Sequence, residues 1–354
     1  MHFAVKVEDP TIPRDEAVQR VRGLLKLPDL KLEVLSFSTW TLECVLARKY
    51  QEGRVFIGGD AAHRHPPTTG LGLNTAVQDA HNLAWKLAYV LKGSASPSLL
   101  KTYETERQPI GKRNCEWALF TSRNHQVIAA AIGLQDGQAE ANKARFTNMF
   151  DEESDTGRAL KAQLQYVIDG QAIEFHAHDM DLGFSYPAGA IKQDNTNPPP
   201  SDPRRQIYVP TTRPGHRLPH AMIDYKGKLL STHDLLGSSG NFLLITDRNG
   251  GPWIEVAKAA TMMRNLGLNI AQIVEPLAGT NENEYVDIEL SWGKVKEIRK
   301  GGAILVRPDG MVAWRSFDLE DPRQIDLAFE TVLGFAKTKG VGETNGTKYS
   351  SVSS

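Results

Sequence analysis

Residues 58–74 decide the reading of this chain: Gly58-Gly59-Asp60-Ala61-Ala62-His63, then Pro66-Pro67-Thr68-Thr69, then Gly70-Leu71-Gly72-Leu73-Asn74. Upstream, residues 54–57 (RVFI) have the pattern of a short buried strand ending at a Gly-Gly turn. Glycines there let backbone approach a ligand closely, because they carry no Cβ. Asp60 falls at the strand's end, where α/β sheets place ligands, and its carboxylate can accept hydrogen bonds from sugar-like hydroxyls. The proline pair stiffens the next loop. Gly70 and Gly72 permit a second close approach, and Asn74 or Thr75 is placed to cap the helix that follows. The positive end of that helix faces back toward the loop and favours negative charge there. Gly70-x-Gly72 follows a proline loop rather than a strand, so it is not a dinucleotide fingerprint.

Working outward, residues 75–91 read as an amphipathic helix, with Ala76, Ala80, Leu83, Ala84, Leu87, Ala88 and Leu91 at helical spacing. Residues 15–25 read as a helix and 31–45 as strands. Residues 99–151 read as mostly helical with an interruption near Pro109. A polar, proline-rich stretch at 195–203 reads as a linker or surface loop. Beyond it come a strand at 242–246, a helix at 252–266 and a strand at 269–273. Strands at 303–306 and 311–315 flank the turn signal Arg307-Pro308-Asp309-Gly310. A last helix at 322–336 has Asp321 as N-cap and Pro322 at its first position. That order suits an α/β domain. The Gly-, Thr- and Ser-rich tail from 340 onward reads as disordered.

At 354 residues the chain has room for two domains, and 40% hydrophobic with 23% charged residues is ordinary for a globular protein. A net charge of −1 implies no nucleic-acid-binding face. The longest apolar runs are too short to span a bilayer, and the acidic residues near Met1 do not suit a signal peptide. Cys44 and Cys115 form no CxxC, which fits a reducing compartment. A soluble, cytoplasmic protein without nucleic-acid or membrane partners is expected.

Taken together, strand, GDAAH, proline pair, GxGxN, Gln78-Asp79-Ala80 and residues 82–87 (NLAWKL) rarely assemble by chance. The chain resembles the FAD-dependent aromatic hydroxylases, the single-component flavoprotein monooxygenases, and most of all their phenol hydroxylase and 2,4-dichlorophenol 6-monooxygenase branch. The resemblance rests on residues 53–93, on residues 103–109 (YETERQP), on 181–186 (DLGFSY), on 214–220 (PGHRLPH), and on 303–310 with Trp314-Arg315. It implies that FAD is the cofactor and NADPH the co-substrate, with O2 supplying an oxygen atom to a phenolic or other aromatic substrate. It also implies that Asp60 binds the ribityl chain, that Pro67 lies near the flavin ring, and that Gly70, Gly72, Leu73 and Asn74 contact the isoalloxazine. Catalytic residues stay unknown. The implied architecture is α/β: a partial FAD-binding and substrate domain at 1–190, a linker at 191–215, a thioredoxin-like domain without redox cysteines at 216–338, and a tail at 339–354. Members of this branch often dimerise, which implies a homodimer.

No GxGxxG lies in the 57 residues before the block, and the Asp-Gly motif before the substrate sheet is also missing. The expectation is an N-terminally truncated form with an apolar edge beside residues 54–58. A truncated gene model, a half needing a partner chain and a natural short form are the three explanations. Two readings from other classes stay open: a flavin-independent isomerase, cyclase or hydrolase reusing the pocket, and a non-catalytic partner subunit. Elsewhere, His63-x-His65 reads as part of the loop rather than a metal site. His176-x-His178 reads as a histidine pair on one strand face. Glu104, Glu106 and Arg107 read as a salt-bridged helix face, Arg217 and His220 as holding a domain interface, and Trp292 and Trp314 as core.

Overall fold

The computed structural model describes residues 12–38, 41–135, 137–151, 153–276, 281 and 283–336. The tail expected to be disordered lies outside these residues. The chain divides into two compact units, 1–43 and 44–354. In the first, helix α1 (Arg14–Leu25) ends at Lys26, whose φ of 55° is left-handed. Arg14 Nη2 donates to the Val34 carbonyl at 2.9 Å and Arg22 Nε to that of Leu30 at 3.0 Å. Residues 31–38 form no strand, contrary to the sequence expectation. The Val34 carbonyl is served by Arg14 instead of a ladder.

The second unit opens with four two-residue strands. β1 (Val45–Leu46) pairs antiparallel with β4 (His63–Arg64), and β2 (Gln51–Glu52) with β3 (Val55–Phe56). The strand expected at 54–57 is therefore one arm of a short ribbon, and it is not buried: Val55 is 67% exposed.

Helix α2 (Leu71–Leu91) begins four residues before the expected start, with Gly70 as its N-cap. Asn74 and Thr75 therefore do not cap it. Both lie inside the first turns and bond backward, Asn74 Nδ2 to the Gly70 carbonyl at 2.9 Å and Thr75 Oγ1 to that of Leu71 at 2.7 Å. The buried face also differs from the apolar stripe. α2 buries Leu71, Thr75, Asp79, Asn82, Trp85, Lys86 and Tyr89, while Leu91 is 84% exposed and Ala80 and Ala84 face solvent. Helix α3 (Thr102–Asn124) packs on α2 and runs through Pro109 without a break. Glu106, Arg107 and Ile110 are buried on either side of that proline, and these tertiary contacts hold the turn that lost a backbone bond. Five short helices follow: α4 (Gln126–Ala131), α5 (Ala139–Met149), α6 (Asp155–Gly170), α7 (Ala172–Phe175) and α8 (His178–Leu182). His176 and His178 lie at the α7–α8 junction, not on a strand, with rings stacked at 6.4 Å.

Residues 191–200 have no regular structure. Beyond them, β5 (Met222–Tyr225), β6 (Lys228–Ser231), β7 (Phe242–Thr246), β8 (Leu268–Val274), β9 (Glu284–Val286), β10 (Ala303–Val306) and β11 (Val312–Ser316) form one mixed sheet in the order β11-β10-β7-β8-β9-β5-β6. Helix α9 (Gly251–Met263) crosses between the parallel pair β7 and β8. Helices α10 (Ser291–Val295) and α11 (Gln324–Val332) complete the unit. α11 starts two residues after the expected Pro322, because 321–323 first make a turn in which Asp321 Oδ1 accepts from the Arg323 N–H at 3.1 Å. Both sheet faces are covered, so β7 and β10 are continuous apolar runs. Phe242, Leu244, Ala303 and Leu305 pack with Trp85 and Tyr89 of α2 and with Trp314, and Leu243, Ile245, Ile304 and Val306 pack with Trp292. The two tryptophans are core, as expected. The α/β class read from the sequence is the one observed, and α2 joins its two halves.

Candidate functional site: the Gly58–Asn74 loop and its charged scaffold

The loop is shaped from beneath by one carboxylate. Asp79 Oδ2 accepts from the Gly59 N–H at 3.1 Å and lies 2.6 Å from His63 Nε2, while Asp79 Oδ1 accepts from Arg107 Nε at 2.7 Å. Burial pushes the Asp79 carboxyl up, but the bonds from His63, Arg107 and Gly59 outweigh it and hold its pKa below the ordinary value. Gly59 has φ +57°, and a Cβ there would meet Ala76 at 3.2 Å. The turn thus needs glycine for conformation and for space. Tyr103 Oη donates to the Ile57 carbonyl at 2.9 Å and fixes the approach to the turn.

Asp60 sits in the 3-10 turn Gly59–Ala61, exposed, and its carboxylate has no hydrogen-bond partner among the described residues. His63 is spent on Asp79. His65 packs 4.8 Å from His63, with both ring nitrogens buried and the Gly111 backbone beside them. Burial and the neighbouring His63 push the His65 pKa down to about 4, so the ring is neutral near pH 7. Among the described residues no cluster of three or more His, Cys, Asp or Glu could hold a metal ion.

Pro66 is buried and Pro67 exposed. Thr68 Oγ1 anchors the loop to α3 through the Ala118 carbonyl at 2.7 Å. Thr69 (φ 67°) and Gly70 (φ 65°) then turn the chain into α2 through two successive left-handed residues, which Thr69 adopts against its preference. No side chain caps α2. Its first turn, with the N–H groups of Leu71, Gly72 and Leu73, is thus left without a side-chain cap. A Cβ on Gly70 would meet nothing within 4 Å, and one on Gly72 only His65 Nδ1 at 3.8 Å. The two glycines thus border open space: Gly70 is favoured by its left-handed φ, and among the described residues no close packing accounts for Gly72. Leu73 and Asn74 are exposed, Leu73 by 76%. Of the six positions picked from the sequence, Gly70, Gly72, Leu73 and Asn74 are contiguous at this helix start. Pro67 begins the turn leading into it, and Asp60 lies on the preceding one.

A second buried cluster lies one turn further along α2. Glu106 bonds Lys86 Nζ at 2.7 Å, Arg307 at 2.8 and 2.9 Å, Asn82 Nδ2 at 2.6 Å and the Ala190 N–H at 2.7 Å. Arg307 also pairs with Asp309, which accepts from Trp85 Nε1 at 3.1 Å. Burial pushes the Glu106 carboxyl up, but Arg307 and Lys86 outweigh it and hold it at about 2. Burial lowers Lys86 to about 8 against the pull of Glu106. The sequence reading missed this cluster. It took Arg307-Pro308-Asp309-Gly310 as a turn alone and Glu106 with Arg107 as a salt-bridged face. They are salt-bridged, but at the centre of the unit. The spacing of Lys86 among buried Asn82, Trp85 and Tyr89 was the available signal.

Residues 3–118 match a family described as FAD binding domain, and residues 211–336 match one described as aromatic-ring hydroxylase, C-terminal. The chain thus carries two regions similar to the FAD-binding and C-terminal domains of aromatic-ring hydroxylases. Among the hydroxylases similar to it is 2,4-dichlorophenol 6-monooxygenase of Delftia acidovorans, 36% identical over 308 residues, covering 87% of this chain and 51% of the relative. Phenol 2-monooxygenase of Pseudomonas sp. (strain EST1001) is 35% identical over 316 residues, covering 89% and 51%. The flavin-dependent monooxygenase PieE, solved in complex with FAD and substrate, superposes with a TM-score of 0.82 at 33% identity, covering 94% of this chain and 56% of that one. The chain thus spans about half the length of the hydroxylases it matches. Among the described residues no helix is long and apolar enough to cross a membrane.

Proposed function

We propose that this chain carries the isoalloxazine and ribityl side of an FAD site in a monooxygenase that hydroxylates phenolic or other aromatic molecules with NAD(P)H and O2. The observation that carries the reading is the uncapped first turn of α2 facing the open space beside Gly70 and Gly72. Reduced flavin chemistry places negative charge at a ring edge, and a preorganised set of N–H donors stabilises such charge. FAD, when bound, would pass electrons from NAD(P)H to O2 and so activate it for transfer to the ring. In this reading the Leu71, Gly72 and Leu73 N–H groups orient the ring edge, Asp60 accepts from the ribityl hydroxyls, and Pro67 borders the ring. Asp79 and Arg107 keep the Gly59 turn in place. His65, neutral near pH 7, adds a polar group that needs no counter-ion. The corresponding domain division is 1–190 and 216–338 around the linker.

A flavin-independent enzyme would need Asp60, His63 and Asn74 in one closed cavity. Asp60 and Asn74 are exposed while His63 is buried against Asp79, which disfavours it. The partner-subunit reading draws support from the apolar side chains exposed around the site, Val55, Leu73 and Val77, the last 61% exposed. The deciding experiment is an FAD titration of the purified chain, followed by visible absorption. Saturable, stoichiometric yellow protein that is weakened at least tenfold by Asp60→Asn, with an unchanged melting temperature, supports the flavin site. A folded, colourless chain that ignores FAD ends that reading and leaves the subunit. Sedimentation would then show association through the apolar face.

A further inference from the structure

A second recess lies away from the loop, between α2 and the β10–β11 turn. Its α2 wall carries Gln78 and His81, about 12–17 Å along the helix from Gly70 at 1.5 Å per residue. It encloses about 200 Å³, smaller than the ~300–1,000 Å³ of sites that take drug-sized ligands. Its floor is apolar and partly aromatic, built from Phe184, Tyr186 and Met311, which pack together with Ile110.

The charges around it do not cancel. Beneath the floor, Lys86, Arg107 and Arg307 are matched by Asp79, Glu106 and Asp309 in direct contacts. Asp309 reaches the recess, but its oxygens are taken up by Arg307 and Trp85. Arg217 remains. Its backbone bridges Met311, and its half-buried guanidinium lines the recess with no hydrogen bond or ion pair among the described residues. Gln78 gives its Oε1 to Arg107, leaving its amide N–H groups as further donors. An unmatched guanidinium with a donor beside it, over an aromatic and thioether floor, suits a planar carboxylate on a flat apolar body.

We propose that this recess binds a small one-ring aromatic acid, its carboxylate on Arg217 and its ring against Phe184 and Met311. The site is separate from the flavin loop and needs no cofactor. The expected occupant is a benzoate-class anion rather than bare phosphate, because Phe184 and Met311 offer apolar surface that a ring covers and phosphate cannot. It is also not a neutral arene, because Arg217 would then stay unmatched.

Calorimetric titration of the full 354-residue chain, without FAD, with benzoate, benzamide and inorganic phosphate tests this. Saturable benzoate binding is expected, at least tenfold tighter than benzamide or phosphate. Arg217→Gln should weaken benzoate at least tenfold without moving the melting temperature, since the guanidinium holds no structural bond. Asp60→Asn should leave benzoate binding unchanged, whatever it does to FAD. Absent benzoate binding, equal affinity for benzamide, equal affinity for phosphate, or an Arg217→Gln chain that binds as wild type overturns the assignment. If Arg217→Gln does not fold, the benzoate-to-benzamide ratio decides alone.

Discussion

The mixed sheet and the loop scaffold are held by opposite means. In β7 and β10 nearly every side chain is apolar and inaccessible. Beneath the loop, the inaccessible side chains include the charged Asp79, Lys86, Glu106 and Arg107 beside Tyr50 and Tyr103, while Leu73, Val77 and Ala80 on the same helix meet solvent. Apolar cores tolerate substitution of similar shape, whereas a buried charge cluster fails when one member is removed, because the others lose their partner. The sheet therefore serves as a general platform, and the loop depends on a few specific atoms.

The sharpest way to break this contrast is to compare Glu106→Ala with Phe242→Ala. Each should cost about 3–5 kcal/mol, the first by stranding Lys86 and Arg307 and the second by opening a cavity. Denaturant unfolding against pH separates them. The Glu106 pKa is about 2 in the folded chain, below its unfolded value, so its contribution is present above the ordinary carboxylate range and is lost as pH falls toward 2. The Glu106→Ala deficit should shrink over that window and the Phe242→Ala deficit should not. Equal pH profiles would mean the cluster is not ionised as described.

A smaller effect is expected from Asp79→Asn, about 1.5–3 kcal/mol for weakened bonds to charged groups. FAD affinity should fall with it, because the Gly59 turn loses its anchor. Unchanged FAD titration in a destabilised Asp79→Asn chain would separate the scaffold from the site.

Smaller still is a pair of histidine effects, one in each region. Burial lowers His65 to about 4, and burial with Arg213 lowers His216, beside the sheet, to about 4. Both stay neutral when folded while the unfolded chain protonates, so stability should fall as pH drops from about 6.5 to about 4. His65→Gln and His216→Gln should each flatten part of that slope. A slope unaffected by either would assign the acid response elsewhere.

The sheet was legible because its signals are local. Phe242–Thr246 and the hairpin around Arg307-Pro308-Asp309-Gly310 read directly from apolar runs and turn residues. The loop was legible as a motif, with Asp60, Gly70 and Gly72 standing out by residue type. What failed was periodicity on α2, since a stripe of Ala and Leu looks like a core face. The true inner face is polar because its partners, Arg107, Glu106 and Arg307, come from far along the chain. The helix start failed for a related reason: Gly70 caps it by conformation, while Asn74 and Thr75, residue types suited to capping, bond to the preceding turn.

The least effect is expected at the two thiols. Cys44 is exposed and Cys115 buried, with burial first and Cys44 second in pushing the Cys115 thiol up to about 12. Mass spectrometry after brief alkylation of the folded chain should find Cys44 modified and Cys115 intact. Equal labelling would show that α3 opens away from β1 on that timescale.

The bond between Arg307 and Glu106 joins residues 201 positions apart. At about 5–20 residues per second, a ribosome that has released Glu106 needs roughly 10–40 s more to deliver its guanidinium partner. Through that interval the nascent chain holds an acid and a lysine whose lasting arrangement depends on a residue not yet made. Protease sensitivity of stalled nascent chains should drop only once Arg307 has cleared the tunnel. For this molecule the end of translation doubles as the moment its buried charges are settled, so premature termination would cost the front half its scaffold as well as the sheet.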